Sequence, residues 1–192
     1  EYYFIIAFLL IGGLVFSRKN LLQQGLLFLF NILQWGLTIY ECLHFRIEEL
    51  SYFTPDAAAL IMLIILSILS TTSSYHSVSF LKDRAAPPRT RAIYYSALCI
   101  LIMAQTGAFL SSHVAATWIF VELTTFAATM LIYHDRTEYA IEAAWKYLFI
   151  CSIAITFAFI GILFLSISAQ EAGITDLSYQ SLILHAATFN PF

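Results

Sequence analysis

Charge is what this sequence has least of. Only 11% of its 192 residues are Asp, Glu, Lys or Arg, against roughly 25% in an ordinary soluble domain. With 60% hydrophobic residues and a mean hydropathy of +0.81, the chain is read as an integral membrane protein. The net charge of -3 carries little weight, because the charges lie between apolar stretches. Nothing resembles the basic patch of a nucleic-acid binder, so no nucleic-acid partner is expected. Cysteine is sparse too: Cys42, Cys99 and Cys151 are scattered in or beside apolar runs, with no CxxC and no Cys/His cluster. Such cysteines are small apolar fillers, so no iron–sulfur cluster, structural zinc or other metal site is expected on this chain. HExxH, GxSxG and GxGxxG are missing, which removes the motif basis for a membrane protease, an acyl hydrolase or a nucleotide binder. No basic segment or small-residue cleavage site accompanies the first apolar run, which is therefore not a signal peptide. The apolar start at Glu1 and the stop at Phe192, just after an amphipathic stretch, read as the ends of a piece of a longer protein.

Long apolar runs, by contrast, fill the chain. A hydrocarbon core about 30 Å thick needs around 20 apolar residues as helix. Six stretches fit: Tyr2–Phe16 (clipped), Leu21–Leu43, Pro55–Phe80, Ala92–Leu110, Ala115–Tyr133 and Glu138–Ser168. They are continuous rather than alternating, which disfavours a membrane β-barrel. The expected fold is therefore all-α, a polytopic transmembrane bundle of about six helices. Pro55 and Asp56 suit the first turn of the third helix. The last stretch exceeds a simple span and is expected to tilt or to start at the interface. Tyr179–Ala187 is weakly amphipathic and reads as a short interfacial helix. Tyr94, Tyr95, Tyr133 and Tyr139 read as aromatic-belt anchors.

Basic residues set the orientation. The first, third and fifth loops hold Arg18, Lys19, Lys82, Arg84, Arg89, Arg91 and Arg136, whereas the second and fourth hold only Arg46. The odd loops are therefore expected on the cytoplasmic side. The fifth helix then runs inward from His113, and Glu122 lies about 13 Å deep, near the bilayer midplane. Lys146 lies about 12 Å along the sixth helix, unless it snorkels back to the interface.

An ionisable group near the bilayer centre costs about 2.5–3.5 kcal/mol on insertion scales and is read by default as functional. Glu122 has no basic residue three or four positions away; its neighbours there are Trp118, Ile119, Thr125 and Phe126. Desolvation favours the protonated form of a lone carboxyl unless a cation approaches, so such a group can take and release a proton. The competing structural reading is interhelical hydrogen bonding with Thr124 or Thr125. Glu142 and Lys146 are four apart with the acid first, the favourable order for an ion pair on one helix. Such a pair lowers the insertion cost, and it also changes the lysine's proton affinity if the partner moves. Weaker relay candidates are His76, His113, His134 and Gln105; the histidines fit an interfacial role, and Gln105 fits polar packing as well as water binding. No catalytic residue is assigned.

The run Trp118-Ile-Phe-Val-Glu122-Leu-Thr-Thr, followed by Glu142-Ala-Ala-Trp-Lys146-Tyr, resembles the antiporter-like, proton-conducting membrane subunits. These occur in respiratory complex I (NADH-quinone oxidoreductase), membrane-bound hydrogenases and multisubunit sodium/proton antiporters. The pattern is most similar to the hydrogenase-4 and formate hydrogenlyase branch. The likeness is strongest over 92–168 and rests on hydropathy alone before that. It implies that Glu122 belongs to a charged pair that gates proton movement and that Lys146 belongs to the polar axis. It implies a subunit built of two inverted repeats, with the family's partner lysine and broken helices lying beyond Phe192. On this reading, 1–91 holds the N-terminal helices and a cytoplasmic loop, 92–168 begins the proton-translocating repeat, and 169–192 is an interfacial segment.

The expected role is proton translocation, or exchange of sodium for protons, within a redox-driven complex whose electron carriers sit elsewhere. No cofactor is expected on this chain. The implied partners are other membrane subunits, a soluble redox arm on the cytoplasmic side, and lipid. The implied location is a bacterial or archaeal inner membrane, or an organellar energy-transducing membrane. The rival readings are a non-conducting membrane anchor, whose loop Lys82–Arg91 would be a docking surface, and a subunit of a sodium/proton antiporter.

Overall fold

The computed structural model describes residues 2–44, 53, 56–84, 86–171, 173–174 and 176–185. Its helices are α1 (Tyr2–Phe16), α2 (Asn20–Leu43), α3 (Ala57–Asp83), α4 (Pro88–Leu110), α5 (Val114–Ile132), α6 (Glu138–Glu171) and α7 (Tyr179–Leu184), with a short 3-10 turn at Tyr133–Asp135. Five of these, α2 to α6, are long and apolar enough to cross a bilayer, and α1 is a shorter apolar helix. Among the described residues, extended pairing is confined to the isolated bridges Phe53–Ser111 and His113–Ser178. The expected all-α bundle is the observed one.

Local chemistry explains the boundaries. Asp56 caps α3, its Oδ1 accepting from the Ala59 N–H at 2.6 Å; Pro55, expected beside it, lies outside the described residues, as does Arg46. α4 starts four residues before the expected Ala92, at Pro88. Proline is pre-organised for a first helical position, where its missing N–H costs nothing. α6 ends in a Schellman motif: the Ile174 N–H reaches the Ala169 carbonyl at 2.8 Å and the Gly173 N–H reaches Gln170 at 3.0 Å. Gly173 adopts φ 77° there, a conformation that only glycine takes up freely. Within the stretch Tyr179–Ala187, expected to be helical, α7 covers Tyr179–Leu184; residues 186 and 187 lie outside the described ones.

The first four helices form a bundle whose interior sets buried polar side chains beside an apolar core that includes Leu14, Leu27, Phe30, Leu66 and Ile102. Gln23, Leu27, Phe30, Asn31, Gln34 and Thr38 of α2 are buried, at spacings that share one helical face. The opposite face, with Leu21, Leu22, Phe28, Leu29, Ile32 and Ile39, is exposed. Such a helix is inside-out by the standards of a water-soluble protein. In lipid, polar side chains instead favour helix–helix contact. Asn31 Nδ2 donates to Ser74 at 2.9 Å, and the Ser70 hydroxyl donates to Asn31 Oδ1 at 2.8 Å. Gln34 accepts from the Tyr3 hydroxyl and donates through Nε2 to Thr106 at 3.1 Å. Thr38 and Ser67 share a bond of 2.7 Å. These side chains tie α2 to α1, α3 and α4.

α4 is the central helix, touching α1, α2, α3 and α5. Tyr95 is 1% exposed in the core, so it is not a belt anchor. The early start at Pro88 places it two turns inside α4. Gly107 lets α5 approach: a Cβ there would stand 2.4 Å from the Phe120 ring. That ring also packs on Phe4, with centroids 5.6 Å apart, so it has little room to turn away. α6 packs on α5 and buries only Ala144 and Ala169. Cys99 is a buried filler as expected, whereas Cys42 is exposed.

Two substitutions test this packing. Gly107→Ala should destabilise the α4–α5 contact by about 1–3 kcal/mol, the usual cost of overpacking. Asn31→Ala should cost about 1–2 kcal/mol, since it strips buried partners from Ser70 and Ser74 in a setting where such bonds are individually modest. Both are read from SDS-driven unfolding of the protein in mixed micelles; an unchanged midpoint would contradict the packing described.

Candidate functional site

α5 and α6 run antiparallel from the turn at Tyr133–Asp135, with Glu122 on one and the Glu142–Lys146 pair on the other. The helices are clasped by Trp118, whose Nε1–H donates to the Ile155 carbonyl at 3.1 Å and whose ring meets Phe159 at 4.7 Å. Glu122 lies one turn further along α5 on nearly the same face.

Glu122 is half-buried, and its Oε2 is shielded from solvent with no hydrogen-bond partner among the described residues. The threonine hydroxyls do not donate to it. Those of Thr124 and Thr125 both donate to the Val121 carbonyl, at 2.6 and 3.4 Å. Leaving a buried acceptor unsatisfied costs about 1–3 kcal/mol, more if it is charged.

Glu142 and Lys146 form the expected ion pair. Their side chains are 59% and 70% exposed, so the pair stands on the outer surface of α6. The buried Ala144, two residues from Lys146, marks the face of α6 packed inward. At 100° per residue Lys146 lies nearly opposite it. Among the described residues, no ion pair joins Glu122 to Lys146.

The relay candidates are dispersed. His76 is exposed on α3, with its ring 6.3 Å from that of Phe80. Gln105 is half-buried on α4. His113 caps α5, its Nδ1 accepting from the Ala115 N–H at 3.2 Å. Beside it, the chain after α6 docks through Tyr179 N–H to the Ser112 carbonyl at 2.9 Å and Tyr179 OH to Thr117 at 2.9 Å. Hydrogen bonds from the Ser178 hydroxyl and N–H, with a smaller contribution from His113, hold the Asp176 carboxyl below its ordinary range. His134 sits at the other end of α5. Its Nδ1–H donates to the Leu131 carbonyl at 2.8 Å, and its Nε2 lies 3.1 Å from Asp135, which Arg84, just after α3, also grips at 2.6 Å.

Sequence reasoning passed over the polar interior of the first four helices and the Arg84–Asp135 pair. The former had a signal, since Gln23, Asn31, Gln34 and Thr38 fall on one face with Ser67, Ser70, Ser74 and Ser77 on another. The latter had none, because its members are 51 residues apart.

Comparison with known proteins adds one weak similarity. The chain is 23% identical over 145 residues to a protein of Methylacidiphilum infernorum (isolate V4) called Hydrogenase-4 component F homolog. The alignment covers 71% of this chain and 30% of the relative, so the chain spans less than a third of that protein's length. No family model matches the sequence, and no solved structure matches it. The five helices long and apolar enough to cross a bilayer mark an integral membrane protein. At 23% identity the likeness shows no family for this chain.

Proposed function

We propose that this chain belongs to the membrane part of a hydrogenase- or complex I-type assembly and helps move protons, or sodium against protons, across the bilayer. The observation that carries the proposal is the shielded, unpartnered Oε2 of Glu122 in a membrane-spanning helix. An uncompensated carboxylate is expensive there. It is stable when it holds a proton or when a cation comes to it, and alternation between these two conditions is a proton-handling cycle. The Glu142–Lys146 pair would act as the second charged station on α6. Its outward position suits a cation source on helices that pack against α6 in the assembled complex. Opposite charges interact far more strongly in such surroundings than in water, which couples the stations. Electron transfer would take place on other subunits.

The second reading is a non-conducting anchor. It is favoured by the lack of an ion pair between Glu122 and Lys146, since both charges can then be explained as locally tolerated.

Glu122→Gln separates the two. In inverted membrane vesicles carrying the assembled complex, redox-driven proton uptake is followed by a pH-sensitive dye. The substitution is expected to remove most of the uptake while leaving assembly and electron transfer in place. Uptake at the unsubstituted level in an assembled complex would establish the anchor reading instead. Lys146→Ala is expected to lower both uptake and membrane insertion, because it leaves Glu142 unpaired. Removing Glu142 as well should restore insertion but not uptake. Recovery of both would reduce the pair to a device for insertion, as read from membrane-fraction yield and the same dye signal.

A further inference from the structure

Four helix ends meet on the face that carries the basic loops: the end of α3, the start of α4, the end of α5 and the start of α6. Between them lies a surface cavity of about 270 Å³, whose walls include Leu81, Arg84, Thr90, His134, Asp135 and Arg136. A smaller cavity of about 50 Å³ shares Thr90, His134 and Arg136 with it and continues along Ile93, Met130 and Tyr133. The two form one feature, polar at the mouth and apolar along the α4–α5 seam. Met130 and Tyr133 are exposed along that seam, so it opens sideways, toward the region that lipid chains occupy in a membrane.

The polar end carries donors that the protein does not use. Arg136 makes no ion pair among the described residues, and the Thr90 hydroxyl makes no hydrogen bond there. Arg84 spends one nitrogen on Asp135, lays its guanidinium 4.4 Å from the centre of the Phe80 ring, and lines the cavity. Asp135 is the acid in the wall, and Arg84 already neutralises it. Arg136 is also the non-glycine residue found with a left-handed backbone, at φ 51°. That conformation is disfavoured for an L-residue, and such strain clusters at ligand clamps. α4 opens into the same region without a side-chain cap at Pro87, so its positive end also faces the mouth.

We propose that this feature binds an anionic phospholipid. The phosphodiester would sit between Arg136, Arg84 and the Thr90 hydroxyl, with an acyl chain along Ile93 and Met130. A basic pocket at the membrane surface that leads into an apolar groove matches the two ends of that molecule. A free phosphate would use the first half only. The site is separate from Glu122, and its occupancy does not depend on proton transport.

The test uses the protein purified in mild detergent with whatever subunits accompany it. Its melting temperature is measured with added dioleoylphosphatidylglycerol, dioleoylphosphatidylcholine or inorganic phosphate, and retained lipid is identified by native mass spectrometry. Phosphatidylglycerol should raise the midpoint by on the order of 5 °C at saturation, and the other two additives by far less. Arg136→Gln should remove most of that increment, and Arg136→Lys should keep most of it. Thr90→Val, which deletes only a hydroxyl, should weaken the effect if the arginine variant does not assemble. An equal response to phosphatidylcholine, a full response to phosphate alone, or an undiminished response in Arg136→Gln or Thr90→Val would overturn the proposal.

Discussion

Hydrocarbon offers no hydrogen bonds, so a polar group placed in it must find its partner within the protein. The first four helices are organised by that requirement. Their outward faces are Leu, Ile and Phe, and their shared interior holds Gln23, Asn31, Gln34, Thr38, Ser67, Ser70 and Ser74. Each amide of α2 near mid-depth reaches across a helix boundary: Asn31 to α3, and Gln34 to α1 and α4. Apolar packing alone would not distinguish one rotation of these helices from another when lipid is as greasy as leucine. Directional bonds do, because one residue of slippage separates Asn31 from both serines. The same ladder sets the rotation of α4, and hence the face on which Gly107 receives Phe120 and α5 docks.

Against this hydrogen-bonded interior, the second half of the chain stands out. α5 and α6 carry the acids and the base that lie at membrane depth, and they are the least covered helices. Glu122 has an oxygen with no partner, and the Glu142–Lys146 pair faces outward. Gln23 Oε1 is also shielded without a partner among the described residues, but Glu122 is the acid in that condition. The clasp from Trp118 to the Ile155 carbonyl holds the helix that bears this carboxylate against α6.

The turn between those helices is tied back to the N-terminal bundle by Arg84 and Asp135. Tyr94 packs on His134 with ring centroids 5.0 Å apart, which brings α4 into the same junction. The polar mouth formed there lies at the end of the seam between α4 and α5, the helix that also bears Glu122. Lipid bound in that seam would brace the contact on which the placement of α5 depends.

Much of the architecture could be read from residue order. Apolar length and the charged breaks located α1 to α6 to within a few residues, because a helix in lipid has to satisfy its own backbone and announces itself by composition. Glu122, Lys146 and Glu142 were legible for the same reason, since charge is costly at that depth wherever it points. The i to i+4 pairing of Glu142 with Lys146 followed from helix geometry alone. Other features were settled only when the helices met. Tyr95 looked like an end-of-helix anchor until α4 was seen to start at Pro88. Contacts such as Gln34 with Thr106, or Arg84 with Asp135, join residues 72 and 51 positions apart, and no local pattern encodes such distances. That Lys146 faces away from α5, leaving Glu122 without it, was likewise decided by packing. A sequence shows that a helix bears a charge, but the direction of that charge depends on which face its neighbour covers.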